Sequence, residues 1–417
     1  MFENLPKNWK ENNLKNLITY YIGGDWGEES QISNDYEPVK IIRATDISSW
    51  DKIHGKNAQL RYLKKGSIEK RKLENDDIVI EISGGSPDQP VGRTIVIKEE
   101  EFKNKDYPYS CSNFFRLLKI NKAEVNPEYL NYYFKFLYKT KIIENYQSNS
   151  TNLRNLKFKQ FLSQKMKYPS TLQEQEEIVK VLNAASDMVR LRKQCIQYAQ
   201  DLIPAIFQEM FGLMIENTNE HKIFKIKNLG NVITGTTPSS KKENMFGGTI
   251  PFVTPGDLEN NKEEYERYLT EEGAKNSRMV RAGSTFVCCI GATIGKVDRA
   301  YLNSCFNQQI NAIEWNKEQV NDIFGLYLFR QLSPLIRAKA SHTTLPILNK
   351  GNFENITIPI PLLEQQELFA QKAIEIENYI KEQQEELKKS EDLFLSLLHH
   401  AFTGELTRHK FGGENEK

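Results

Sequence analysis

Between Glu174 and Met210, apolar residues recur at alternating gaps of four and three: Ile178, Leu182, Ala185, Val189, Arg192, Ile196, Ala199, Ile203, Ile206 and Met210, with Arg192 the single polar member. A seam that repeats every 3.5 residues has to bury itself on a partner helix, so the pattern predicts a coiled-coil helix. The same gaps return 191 residues later at Phe369, Ala373, Ile376, Ile380, Gln383, Leu387, Ser390, Phe394, Leu397 and Ala401, and the polar break returns with them, Gln383 for Arg192. The two helices are each other's most economical partners, and in one chain they can lie antiparallel. About 38 residues of helix span roughly 57 Å at 1.5 Å per residue, the length of a spacer. Pro204 falls inside the first helix, where Leu395 occupies the second, and predicts a kink or an early break there.

Ahead of each helix the pattern changes to short alternating or continuous apolar runs. Val39–Ile47 reads as a strand, Asp77–Ile82 and Gly92–Ile97 as a hairpin with the elaborated loop Ser83–Pro87, and Phe114–Ile120 as a further strand. Asn126 then caps a Tyr- and Phe-rich helix with Pro127 in its first turn. The second half repeats this order. Leu14–Leu17 recurs as Ile226–Leu229, Thr45–Ile47 as Gly256–Leu258, Val91–Arg93 as Ile294–Lys296, and Ser112–Asn113 as Phe306–Asn307. Ser150–Leu153 recurs as His342–Leu345, and Pro169–Gln175 as Pro359–Gln365. One unit of about 200 residues is written twice. The expected fold is α+β: two globular α/β domains in pseudo-twofold repeat, separated by two long antiparallel coiled-coil helices. The boundaries are 1–168 for the first globular domain, 169–212 for the central helix, 213–358 for the second domain and 359–417 for the C-terminal helix and tail.

Charge is segregated along this plan, although the formal net charge is only +1. Residues 1–168 carry 28 Lys and Arg against 22 Asp and Glu, and residues 213–358 carry 17 against 15. The helical stretches 169–212 and 359–417 carry 4 against 6 and 7 against 12. Attraction to phosphate belongs to the globular parts, and the acidic helices are better suited to protein partners. Five cysteines form no CxxC pair, no signal region opens the chain, and no apolar run reaches membrane-spanning length. These features point to reduced thiols, a cytoplasmic location and no membrane.

The motifs that suggest catalysis are incomplete. Gly291–Lys296 resembles a phosphate loop but is one residue short between its glycines, and Val297 stands where a metal-holding Ser or Thr is required. Asn126-Pro127-Glu128-Tyr129 is better explained as a helix cap than as a base-holding methyltransferase loop. Asp88, Glu101 and Lys103 meet the loose pattern of a Mg²⁺ nuclease, which leaves a stand-alone restriction nuclease as the enzymatic alternative. A coiled-coil scaffold that does not touch DNA is the structural one. The six histidines show no ligand spacing, so no metal site is expected.

The positive signal is nucleic-acid binding without catalysis. One basic cluster contains Arg61, Lys64, Lys65 and Arg71. A second runs through Arg154 and Lys157 beside the polar loop Asn149, Thr151 and Asn152. Lysines position a protein on phosphates, whereas Arg, Asn, Gln and Thr can read base edges. The repeat adds Arg93 and, in the second domain, Lys241, Lys242, Lys296, His342, Thr343 and Thr344 as candidates. Phe207, Phe211, Leu398 and Phe402 flank the seams and are candidates for docking a partner or for widening the core.

The paired openings Pro169–Ile178 and Pro359–Leu368, together with Gly235–Pro238, Ile290–Lys296 and Asn307–Ile310, resemble the DNA-specificity subunit of type I restriction-modification systems over nearly the whole chain. The resemblance implies two target-recognition domains, each reading half of a bipartite site in double-stranded DNA, and no catalytic residue in this chain. It also implies two methyltransferase subunits and, in many systems, restriction or translocase subunits. No cofactor is expected here; S-adenosylmethionine, ATP and Mg²⁺ belong to those partners. In the first domain Gly92-Arg93 replaces Gly295-Lys296 and Asn113-Phe114 replaces Asn307-Gln308, departures from the family pattern.

Overall fold

A computed structural model of the chain describes residues 6, 8–47, 50, 54–99, 106–150, 153–214, 221–239, 242–259, 264–341 and 346–406, with the side chains of 149 and 150 left aside. It divides into two compact units, Met1–Lys193 with Glu385–Lys417, and Gln194–Gln384.

The first unit opens with β1 (Trp9–Asn13), β2 (Ile18–Gly23), β3 (Tyr36–Ile42), β4 (Gln59–Lys64), β5 (Ile78–Glu81) and β6 (Ser83–Gly85). It continues with β7 (Thr94–Val96), β8 (Tyr109–Cys111), β9 (Phe115–Ile120), helix α1 (Pro127–Lys139), β10 (Gln147–Ser150), β11 (Leu153–Leu156) and β12 (Lys165–Pro169). The main sheet runs β2-β9-β5-β7, a second runs β4-β3-β8 with β3 and β8 parallel, and β1 pairs with β12 at the junction with helix α2 (Leu172–Phe211). The expected hairpin is β5 with β7, paired antiparallel. Asn126 caps α1 as its sequence requires, its Oδ1 accepting from the N–H groups of Glu128 at 2.9 Å and Tyr129 at 3.1 Å.

The second unit carries β13 (Lys222–Lys225), β14 (Gly230–Thr234), β15 (Phe246–Val253), β16 (Tyr268–Leu269), β17 (Met279–Val280) and β18 (Thr285–Cys288). Then follow β19 (Val297–Arg299), β20 (Ser304–Phe306), β21 (Ile310–Trp315), α3 (Asp322–Gln331), α4 (Ser333–Lys339), β22 (Thr357–Ile360) and α5 (Leu363–Phe402). Its main sheet, β14-β21-β18-β19, has the strand order of the first unit's. Its second sheet, β16-β15-β20-β17, keeps the parallel pair β15 with β20, and β13 pairs with β22 as β1 does with β12. The duplication read from the sequence is a duplication of topology.

Two correspondences shift by one residue. Gln175 matches Gln366, the spacing of the helix seams, rather than Gln365. Gln175 accepts the Asn126 N–H at 2.7 Å and donates to the carbonyls of Pro169 and Glu124. Gln366 accepts the Asn321 N–H at 3.0 Å and donates to Pro361 and Gln319. Likewise Ser112, not Asn113, matches Asn307: each donates its N–H to the central strand of the second sheet, at Ile42 and Val253. Small insertions between the repeats hide such slips from sequence comparison.

Every seam position of both helices is buried or half-buried, Arg192 and Gln383 included. Arg192 lies 3.4 Å from Glu386 and Lys193 2.7 Å from Glu391, pairs between antiparallel helix segments of the first unit. Helix α2 runs through Pro204 to Phe211 without a break. Buried Ile203 and Phe207 hold that turn, where proline removes one backbone hydrogen bond. The expected strand Val39–Ile47 ends at Ile42, and a short helix, Ala44–Ile47, follows. The buried carboxylate of Asp46 accepts from both the N–H and the guanidinium of Arg43 and turns the chain there.

Candidate nucleic-acid interface

In the first unit the loop that interrupts the β5–β7 hairpin becomes β6, and β6 pairs with the hairpin β10–β11 to form a three-stranded lobe. Gly85 faces Arg154 across it, and the Ser83 hydroxyl donates to Asn155 Oδ1 at 2.5 Å. Gly84, at φ +94°, leaves room for Phe114, which stays 46 % exposed, and Leu153 of β11 is exposed as well. Polar edges and exposed apolar side chains on one lobe suit a groove in which bases offer both hydrogen-bonding atoms and methyl groups. In the second unit the corresponding loop forms a bridge from Ile290 to Ile347, and Gly291 N–H donates to Pro346. Leu156 donates its N–H to Ile82, and Leu348 to Cys289, so the segments after the two polar loops occupy the same place in their heads.

The structure divides the basic candidates sharply. Arg61 is only 8 % exposed; its guanidinium stacks 4.7 Å from the Trp26 ring and donates to the Trp26 and Gly27 carbonyls and to Glu29. Arg71 donates to the Gly23 carbonyl and to Ser67. Arg93 forms a two-pronged ion pair with buried Glu81 at 2.8 and 2.6 Å, and that partner pushes its pKa further up. Arg154 is held by Glu144 at 2.7 Å and by the Pro87 carbonyl. These four arginines are engaged within their own domain, where they brace loops, rather than standing open on its surface. Desolvated guanidinium groups need several acceptors, and each of these has found them inside its own domain.

Lys64, Lys65, Lys157 and Lys242 are exposed. Lys64 lies over Tyr36, Lys65 faces Glu37 at 3.5 Å and Lys242 reaches Asn276 at 3.5 Å, all weak surface contacts. Lys296 is half-buried. Asn149 lies in β10, opposite Arg154. Thr151, Asn152, Lys241, His342, Thr343 and Thr344 lie outside the described residues, as do Glu101 and Lys103 of the nuclease pattern; Asp88 is exposed. Among the described residues no group of three or more His, Cys, Asp or Glu could hold a metal ion, and no helix is long and apolar enough to cross a membrane.

The aromatic candidates for docking are engaged inside the fold as well. Phe207 and Phe211 pack on Phe324 of α3 and Phe369 of α5 with ring centroids 5.1 to 5.9 Å apart, and are 2 % and 3 % exposed. Phe402, with Leu398, closes the first unit's core against Tyr129, Tyr133 and Phe136 of α1. All four serve the core. Exposed apolar side chains of the helices include Val181, Met188, Leu191, Tyr198 and Leu202 on α2, and Leu368, Ile374, Tyr379, Leu393 and Leu395 on α5. Tyr198 and Tyr379 escape a search for seam periodicity because they stand off the seam.

Two heads of one plan, each with exposed lysines and each built on segments of both long helices, define a duplicated recognition protein. The chain belongs to the type I restriction modification DNA specificity domain family, whose model matches residues 6–198 and again 219–391. It is 21 % identical over 416 residues, 94 % of this chain and 93 % of the other, to a Methanocaldococcus jannaschii protein provisionally named as the type I restriction enzyme MjaX specificity subunit. A Haemophilus influenzae type I restriction enzyme HindI specificity subunit is 31 % identical over 157 residues, 36 % of this chain and 34 % of that one. The fold matches the crystal structure of an S subunit from M. genitalium with a TM-score of 0.57 at 14 % identity, over 96 % of this chain and 98 % of that one. It matches a chain from a study of type I restriction-modification complex assembly with 0.60 at 16 %, over 96 % and 99 %. Subunits of this family are not catalytic; they bind DNA and direct the complex to its site.

Proposed function

We propose that residues 1–168 and 213–358 each read one half of a bipartite site in double-stranded DNA, through the lobe Ser83–Gly85 with 147–156 and through its counterpart around 290–296 and 342–348. The observation that carries this reading is the repeated placement, against the same hairpin in both heads, of the segment that follows the polar loop, with the Leu156 and Leu348 N–H groups in equivalent bonds. Lys64, Lys65, Lys157, Lys242 and Lys296 supply phosphate contacts, and Asn149, Thr151, Asn152, His342, Thr343 and Thr344 face the bases. Residues 169–212 and 359–417 supply the helices that set the number of unread base pairs, by the logic that ties protein spacing to half-site spacing.

The outward apolar residues dock two methyltransferase subunits, which bring S-adenosylmethionine; restriction subunits, where present, bring ATP and Mg²⁺, and the assembly works in the cytoplasm. In the second unit Cys195, Tyr198, Leu202, Ile376 and Tyr379 line an apolar groove of about 550 Å³, and Tyr198 is 71 % exposed. Exposed aromatic surface of this kind marks protein interfaces. The test maps genomic adenine methylation with and without the chain, and then with only residues 1–168 exchanged for those of a relative. Loss of one bipartite motif, followed by a change in one half alone, is the expected result; an unchanged methylation pattern on removing the chain refutes the reading.

A further inference from the structure

The turn after the β5–β7 loop and the turn after the β18–β19 loop are the same backbone corner. Glu81 N–H donates to the Arg93 carbonyl, and Cys288 N–H to the Lys296 carbonyl, both at 2.9 Å. Gly92 at φ +111° and Gly295 at φ +88° make the two corners, and in each a helical segment presses on the glycine. What fills the corner differs. In the first head it is Ile143, fully buried, and the one cation there, Arg93, is bound to the buried Glu81 carboxylate. In the second head Cys288 stands in the place of Glu81, so no acid waits for Lys296. The residue against Gly295 is Arg337, whose Nε donates to the Ile294 carbonyl at 3.2 Å. Ser333 holds the Gly295 carbonyl at 2.5 Å and fixes the approach of α4.

Lys296 and Arg337 share a cleft of about 630 Å³ with Thr293 and Ser341. Neither cation forms an ion pair among the described residues. Among the described residues the one carboxylate on the wall is Glu259, and its Oε1 accepts the Val297 N–H at 3.2 Å. Two cations against one engaged carboxylate, with hydroxyl donors beside them, make a recess suited to a single phosphodiester, the anion that a guanidinium fork and an ammonium recognise together. We infer that the corner Thr293–Lys296 with Arg337 is a backbone-phosphate anchor which the second head has and the first head lacks, so the two heads grip DNA unequally. The inference rests on the chain's DNA-binding function and adds to it the division of phosphate contacts between the heads.

The test measures binding of a mixed-sequence duplex by the assembled complex, by fluorescence anisotropy over a range of salt concentrations. Each phosphate neutralised contributes about 0.9 to the slope of log affinity against log salt. Lys296→Ala with Arg337→Ala should lower the slope by about 0.9, which changes the ratio of wild-type to variant affinity about 3.5-fold between 50 and 200 mM salt. Arg93→Ala should leave the slope unchanged. Lys296→Gln alone, at a side chain with no ion pair to lose, should lower the slope by a smaller amount and carries the test if the double variant does not fold. An unchanged slope in the Lys296 variants, or an equal fall in Arg93→Ala, overturns the inference while leaving DNA binding intact; a wild-type complex with no salt-dependent binding overturns DNA binding itself. Inorganic phosphate at constant ionic strength is the second probe. Competition with DNA that disappears in Lys296→Gln supports the anchor, whereas phosphate binding at Lys296 that leaves DNA affinity untouched assigns the recess to a free anion and overturns it.

Discussion

Replacing Gln366 by methionine keeps the length and the apolar volume of a fully buried side chain and deletes three hydrogen bonds at once. The Asn321 N–H and the carbonyls of Gln319 and Pro361 lose their partner. An unpaired buried backbone group costs about 1–3 kcal/mol, but water can reach the first two more easily than the third, so the losses do not add in full. Asn321 also caps α3, its Oδ1 accepting from the Ile323 and Phe324 N–H groups, and a shift of its backbone loosens that cap as well. A local destabilisation of about 2–4 kcal/mol follows. Gln366→Glu should be worse, because an ionised carboxylate can still accept from Asn321 but offers the two carbonyls no donor and buries a charge. Hydrogen exchange read peptide by peptide is the assay: protection over 319–332 should fall by roughly thirtyfold to several hundredfold, with 126–139 unchanged. Gln175→Met should give the mirror result. Unaltered protection over 319–332 in a folded Gln366→Met protein would refute the claim that this glutamine joins head to helix.

Burial pushes the Asp77 carboxyl up to about 6 from 3.8, against the opposing pull of the Glu74 N–H and Lys119. The folded state therefore binds this proton more tightly than the unfolded state, and the contribution to stability is fully present below about pH 4 and lost as pH rises through about 6. It amounts to about 3 kcal/mol, so Asp77→Asn should flatten the urea-unfolding stability profile across that window. Phe402→Ala should cost about 3–5 kcal/mol by opening a cavity beside Tyr129, Tyr133 and Phe136, measured by thermal unfolding, whereas Tyr198→Asp should leave the melting temperature alone and abolish co-purification with the methyltransferase. Inserting four residues at Arg192 and four at Gln383 lengthens each helix by about 6 Å, close to two base-pair steps. Methylation mapping should then show a longer spacer between unchanged half-sites; altered half-sites with the old spacer would refute the measuring role of the helices.

The helices and the duplication were legible because a 3.5-residue period is written locally and survives insertions elsewhere. The cap at Asn126 was legible for the same reason. The roles of Arg61, Arg71, Arg93 and Arg154 were not, since an arginine reads as surface cation until its acceptors are known, and Glu81 and Glu144 reach Arg93 and Arg154 only through tertiary pairing. The end of β3 at Ile42 was hidden likewise, set by one buried carboxylate, Asp46, against an otherwise good strand pattern. Gln175 and Gln366 were visible as a repeated motif, but nothing in a linker sequence says that a glutamine is buried.

The aromatic residues at the helix ends carry the larger lesson. Read along the chain, a head ends and a spacer begins, so Phe207 and Phe402 fitted a docking surface as well as a wider core. In the structure each head takes its own helix's first turns and the other helix's last turns into one core: Ile178 and Leu182 lie with Leu398 and Phe402 in the first unit, and Phe369 lies with Phe207 and Phe211 in the second. A full aromatic side chain buried at such a joint contributes about 1.5–3 kcal/mol, so each head draws part of its stability from the other repeat's helix end. Duplication here has not produced two independent domains on a rod. It has produced two cores that each draw on both copies of the repeat, and the apolar side chains left outward on the helices, Tyr198 and Tyr379 among them, lie outside both.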